Sequence, residues 1–337
     1  MTGAPLTIVG MPGSPYSRKL RAVLRYRRIP YAWVHPFSPE HRALPRPRVE
    51  LLPQLILPGT SDARTDSTPL IRDLETSHRG REVLPPDPVV GFIDALLEDY
   101  ADEWLTKPMF HYRWAYAADI AQAAAILPRW SRTTGSNDEA TAMGRTFAER
   151  QIGRLAVVGS NDVTAPVIED SYRRLLGLLD ARLAESRFVM GGRPGASDFG
   201  LYGQLTQLAG FDPTPRAVAL SVAPRVVAWV DVGEDLSGLE PGEWLRADDV
   251  PATVRALLAE VGRVYVPFLL ANAAALDRGA ERVECTIDGR PWVQKPFPYQ
   301  RKCLGWLRDG RAALSADARR RVDDVLAGTG CERLFAA

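Results

Sequence analysis

The chain has 337 residues, is 46% hydrophobic and carries a formal net charge of +1, enough apolar material for a large core and too little charge excess for a nucleic-acid or membrane surface. No apolar run approaches the ~20 residues of a membrane span, and the first residues show no basic segment followed by an apolar one, so a cytoplasmic protein is expected. Cys285, Cys303 and Cys331 lie far apart and His35, His41, His78 and His111 lack ligand spacing, so neither a disulfide framework nor a metal is expected.

Leu6-Thr7-Ile8-Val9 reads as a strand, and Leu20, Val23 and Leu24 fall at helical spacing, with the change of period at Ser14-Pro15. Ser14 is a natural N-cap, and Pro15 suits the first helical position, where a missing N–H costs nothing. A hydroxyl there sits beside unpaired N–H groups and the positive end of the helix dipole, a place to hold an anion. Ile29-Pro30 ends the helix, and Tyr31-Ala32-Trp33-Val34 completes a βαβ unit. Residues 35–48 are rich in Pro, Arg and His without periodicity and read as irregular. Leu51 to Leu57 supplies a third strand and Ala63-Arg64-Thr65 a weakly marked fourth. Ser67 then opens a helix through Leu70, Ile71 and Leu74. The basic residues Arg18, Lys19, Arg21, Arg25, Arg27 and Arg28 read as a solvated helix face.

Three prolines in Pro85-Pro86-Asp87-Pro88 mark a boundary, since they continue neither helix nor sheet. Beyond it Phe92, Ile93, Leu96, Leu97 and Tyr100 trace a helical face that Trp104, Leu105, Met109 and Phe110 extend, until Leu127-Pro128 interrupts it. Helical spacing returns over residues 139–155 and 168–183, and again after Pro224. Pro251 to Leu276 predicts one long amphipathic helix, Asp288-Gly289 a hairpin turn within 282–295, and Ser315 a capped helix ending before Gly328.

Three ordered motifs carry a resemblance. Ser14-Pro15-Tyr16-Ser17 resembles the Cys-Pro-Tyr-Cys motif of glutaredoxins and the Cys-Pro-Phe-Ala motif of omega-class glutathione S-transferases, with serine in the cysteine positions. Leu51-Leu52-Pro53-Gln54-Leu55 resembles the strand that opens with a cis-proline in thioredoxin-like folds, and Asp66-Ser67-Thr68-Pro69-Leu70-Ile71 resembles the Glu-Ser-x-x-Ile step of the transferases. Gly195-Ala196-Ser197-Asp198 resembles the capping box of their central helix, with glycine where relatives have Ser or Thr. The chain is thus similar to the glutathione S-transferase superfamily, omega- and zeta-like, to about residue 240. The implied fold is α/β plus all-α. A thioredoxin-like glutathione-binding domain spans 1–84, a linker 85–90 and an all-helical domain 91–245, and an unmatched extension over 246–337 packs on the helical domain.

The resemblance implies an enzyme that binds glutathione as co-substrate and attacks a hydrophobic electrophile with its thiolate, Ser14 donating to the sulfur. Tyr16, Ser17, Leu52, Pro53, Asp66 and Ser67 complete the expected glutathione site, Leu52 through its backbone and Asp66 by pairing with the glutamyl ammonium. Phe110, His111, Tyr112 and Trp114 are the expected electrophile wall, beside Trp104 and Tyr116. A homodimer is also implied, with Asp99 or Asp102 as candidates to cross its interface. The rival expectation is a binding protein that keeps the scaffold without catalysis.

Overall fold

The computed structural model describes residues 4–336. Its N-terminal part holds a four-stranded sheet of order β2-β1-β3-β4, built from β1 (Leu6–Val9), β2 (Tyr31–Val34), β3 (Gln54–Ile56) and β4 (Ala63–Thr65). β1 runs parallel to β2 and antiparallel to β3, and β3 runs antiparallel to β4. Strand alternation sends Leu6, Ile8 and Leu55 to one face, where α1 (Pro15–Tyr26) and α3 (Ser67–Ser77) bury Leu20, Val23, Leu24, Leu70 and Ile71. Val9, Ile56 and Ala63 face the other way against Val34, Leu44 and Leu52. The stretch expected to be irregular contains one turn of helix, α2 (Pro39–Arg42), because the Ser38 hydroxyl accepts from His41 N–H and Pro39 starts the turn.

A helical part follows: α4 (Pro88–Glu103), α5 (Thr106–Ala115), α6 (Ala117–Ser131), α7 (Asn137–Ile152), α8 (Ala165–Glu185), α9 (Ala196–Leu205), α10 (Pro213–Val222) and α11 (Pro224–Val232). Contrary to the expected interruption, α6 runs through Pro128. Pro128 lies in its last turn, where only one intrahelical bond is lost. Every residue of α9 is buried, against α4 on one side and α1 on another. Gly195 caps α9 without a side chain because Asp94 of α4 does that work. Its carboxylate accepts from Ala196 N–H at 3.2 Å and Ser197 N–H at 3.0 Å. A Cβ on Gly195 would lie 2.3 Å from Asp94 Oδ1.

The remaining segment forms α12 (Ala252–Glu260), a π-helical turn Val261–Tyr265, α13 (Val266–Asp277), a hairpin of β5 (Val283–Ile287) and β6 (Arg290–Gln294), α14 (Pro298–Ala312) and α15 (Ala316–Leu326). The long helix expected over 251–276 is therefore two α-helices with a π turn between them, just before Pro267, which has no N–H to continue the ladder. Asp288 and Gly289 take φ of 52° and 73° in the hairpin turn. The segment packs back on the helical part: α14 and α15 lie on α4, and α12 on α8. Lys107 of α5 pins the hairpin, its ammonium 3.9 Å from the Phe268 ring centre and 2.9 Å from Gln294 Oε1.

Candidate functional site

Val9 pairs with Gln54, and Gln54 with Thr65, so the exit of β1, the entry of β3 and the exit of β4 lie side by side at one end of the sheet. The loops leaving that end are those that carry Ser14, Leu52-Pro53 and Asp66-Ser67. Ser14 caps α1 in an extended conformation, and its Oγ accepts from Ser17 N–H at 3.3 Å. A hydroxyl accepting in this way keeps its own proton to donate. Among the described residues the buried Ser17 Oγ has no hydrogen-bond partner. The Leu52–Pro53 peptide is cis, and among the described residues neither Leu52 N–H nor its C=O meets a partner. Asp66 caps α3 at φ 79°, its Oδ1 accepting from Thr68 N–H at 3.3 Å; Ser67 is buried at the first helical position.

A buried charge cluster ties these loops to α4. Lys19 of α1 donates to Glu98 Oε1 at 2.7 Å, to Asp102 Oδ2 and to Thr68 Oγ1. Burial disfavours the Lys19 ammonium, and Asp102 and Glu98 more than offset that, so its pKa is raised. Burial likewise opposes ionised Glu98, and Lys19 and Arg72 reverse the balance and hold it low. Asp102 links the two halves of the site: its carbonyl accepts from Tyr16 Oη at 2.8 Å and its Oδ2 from Thr68 Oγ1 at 3.0 Å. Burial first, then the negative Glu103 and Asp102, push the Tyr16 phenol well up, so it stays a neutral donor committed to that carbonyl.

Asp99 and Asp102 thus point into their own chain, Asp99 accepting from Tyr265 Oη at 2.7 Å, and neither is free to cross to a second copy. The wall expected from Phe110, His111, Tyr112 and Trp114 is also displaced inward. Tyr112 and Trp114 are fully buried because the spacing that marks an aromatic face here marks core. Phe110 packs with Trp114, Ile120 and Leu127. His111 is bonded on both ring nitrogens, at 2.8 Å to Ser160 Oγ and 3.3 Å to Glu169 Oε1, and burial lowers its pKa.

Residues that the sequence reading missed close the Ser14 loop instead. A Cβ on Gly13 would lie 2.8 Å from Leu127 and 2.9 Å from Trp130, so α6 rests on the residue before Ser14. Arg113, doubly bonded to Asp212, donates to the Gly13 carbonyl at 3.2 Å, and Gln207 donates to that of Pro12 at 3.0 Å. Burial raises Asp212 to about 6. The basic face of α1 is not solvated throughout: Arg18, Arg21 and Arg25 converge on Glu234 beyond α11. Tyr299 of α14 donates to Asp66 Oδ2 at 2.6 Å. Only the regular spacing of Cys303, Leu304 and Leu307 hinted at that helix. An apolar groove of ≈ 540 Å³ between α6 and α7 is lined by Ile120, Ala124 and Ile152, and by none of the four wall positions. Among the described residues no group of three or more His, Cys, Asp or Glu could hold a metal, and no helix is long and apolar enough to cross a membrane.

The profile of the glutathione S-transferase N-terminal domain matches residues 8–82, and that of the C-terminal domain residues 140–231. No curated protein matches the chain. Similar solved structures include a glutathione S-transferase of Methylobacterium radiotolerans in complex with glutathione sulfonate, at 18% identity and TM-score 0.40, covering 72% of this chain and 98% of that one. FzlA from C. crescentus shares 16% identity at TM-score 0.39, covering 67% and 86%. Glutathione transferase F2 from Populus trichocarpa shares 14% at TM-score 0.40, covering 69% and 95%. With the thioredoxin-like sheet and the helical part matched in turn by the family's two domain profiles, the chain belongs to the glutathione S-transferase superfamily.

Proposed function

We propose that the protein binds glutathione at the sheet end described above and transfers its thiolate to a hydrophobic electrophile. The observation that carries this reading is the alignment of β1, β3 and β4 through Val9, Gln54 and Thr65, which gathers three different binding groups on one edge. Ser14 supplies a hydroxyl proton and the α1 N-terminus a partial positive charge, both favouring an anionic sulfur over a thiol of ordinary pKa ~8.5. Leu52 offers a free N–H and C=O to the cysteinyl backbone. Asp66 faces the glutamyl ammonium, and Ser67 with the first turn of α3 takes its carboxylate. The serine acts as a donor, and the sulfur forms the new bond to carbon.

Calorimetric titration of the full chain with reduced glutathione, repeated with Ser67→Ala, tests the reading. Saturable binding that the substitution weakens is expected; no binding at millimolar glutathione would refute it. A second reading, a binding protein of the glutathione S-transferase fold without transfer chemistry, is favoured by the packing of Leu127 and Trp130 against Gly13, which occupies the space beside Ser14. An electrophile screen on the glutathione-bound protein separates the two. The α4 face, whose acids the resemblance puts at a homodimer interface, carries α14 and α15 on its outer side.

A further inference from the structure

The C-terminal segment reaches the glutathione site through one hydrogen bond. Asp66 Oδ1 is held by its own helix, through Thr68 N–H at 3.3 Å, and Oδ2 is held by Tyr299 Oη at 2.6 Å, 233 residues further along the chain. Tyr299 is itself fixed. Asn272 of α13, fully buried, clamps the backbone of Phe297 reciprocally at 3.0 and 2.8 Å just before α14. Gln300 donates to the Glu103 carbonyl at 3.3 Å, and the Tyr299 ring meets Trp306 edge-on at 6.0 Å. Burial, and then Asp66 itself, push the Tyr299 phenol up, so it remains a neutral donor.

We propose that Tyr299 is a positioning residue of the glutathione site, contributed by the same chain, which orients the Asp66 carboxylate toward the α-ammonium of a γ-glutamyl ligand. The inference rests on the glutathione reading above. A carboxylate has about four lone-pair positions, and the two bonds present leave others for an ammonium. Fixing the carboxylate in advance spares the ligand that ordering cost. Asp66 is half-buried, so a ligand has access to it.

The test is calorimetry on the full chain, wild type and Tyr299→Phe, with two ligands: reduced glutathione and its des-amino analogue, N-glutaryl-cysteinylglycine. The phenyl ring keeps its packing on Trp306 and loses only the hydroxyl. Tyr299→Phe is expected to weaken glutathione about five- to tenfold, the net worth of one ordinary hydrogen bond because Tyr299 acts through Asp66, and to leave the analogue unchanged. Combining it with Asp66→Asn should add little to either single loss. Equal or tighter glutathione binding by Tyr299→Phe overturns the proposal, as does an equal loss for both ligands, which a merely structural role would give. Wild-type protein that binds neither ligand removes the glutathione reading and this inference with it.

Discussion

Lys19 of α1 and Glu98 of α4 meet at 2.7 Å with both side chains only 1% exposed, so one buried ion pair joins the sheet part to the helical part. Replacing Lys19 with Met keeps the volume, leaves Asp102 without its cation and leaves Glu98 with Arg72 alone. Breaking a buried pair from one side costs about 3–5 kcal/mol, chiefly through the stranded charge. Glu98, held low in the wild type, stabilises the fold above its unfolded pKa of ordinary carboxylate range, and that stability is lost as pH falls. The deficit of Lys19→Met is therefore expected to be large at pH 7 and smaller near pH 4, read by urea unfolding. Equal stability of the two proteins at pH 7 would contradict the assignment.

Ser14→Ala removes both a cap and a donor, and the two losses are separable. The cap is worth about 1 kcal/mol of stability. The donor acts on the thiolate, so glutathione-dependent turnover should fall about 10- to 100-fold, the equivalent of one charge-assisted hydrogen bond. The acidic limb of the kcat profile, which reports the bound thiol, should also move to higher pH, toward the ~8.5 of a free thiol. Unchanged turnover with an unchanged profile would leave Ser14 as a cap alone.

What could be read from the sequence depended on how far apart the interacting residues stand. The β1-α1-β2 unit, the Ser14 cap and the Asp288-Gly289 turn are local, and neighbouring residue types specify them. The α9 cap is different: glycine at 195 looks like a weak capping position, and its real partner, Asp94, lies 102 residues away from Ala196. Aromatic spacing over 110–116 marked an apolar face correctly but could not say whether a pocket or core lay opposite, and Tyr112 packs on Tyr172 of α8. Tyr299 carried no motif, since its role exists only once α14 is laid across α4.

Glu103 sits at the end of α4 under α14, and burial, then Asp99 and Asp102, raise its pKa from 4.5 to about 8. Between these values the folded protein holds a proton that the unfolded chain releases. The contribution is thus full below the unfolded pKa and is lost as pH rises through the folded one. Lys107, lowered by burial to about 7, works in the opposite sense above that pH, so the comparison must be between proteins. Glu103→Gln should show a shallower decline in stability from pH 5 to 8 than wild type, by up to about 1.4 kcal/mol per pH unit. Parallel curves for the two proteins, followed by thermal or urea unfolding, would show that Glu103 is not protonated in the fold.

Two copies pairing through α4 need its outer side, and α14 and α15 lie there. The acids proposed to cross such an interface are spent within the chain, Asp102 on Lys19 and Asp99 on Tyr265. A stable pair ordinarily buries about 1,200–2,000 Å² in total, and prising α14 and α15 away to provide it would expose Leu304, Leu307, Val322 and Leu326, all buried. It would also break the Tyr299 contact with Asp66. The loss of apolar burial alone, at roughly 1.5–3 kcal/mol for each fully buried aliphatic side chain, offsets much of what an ordinary interface returns after its association cost. Light scattering of the full chain at tens of micromolar is therefore expected to give the mass of one copy, 37.1 kDa. A species of twice that mass would require pairing through a different face, and Asp102→Asn should then leave its dissociation constant unchanged.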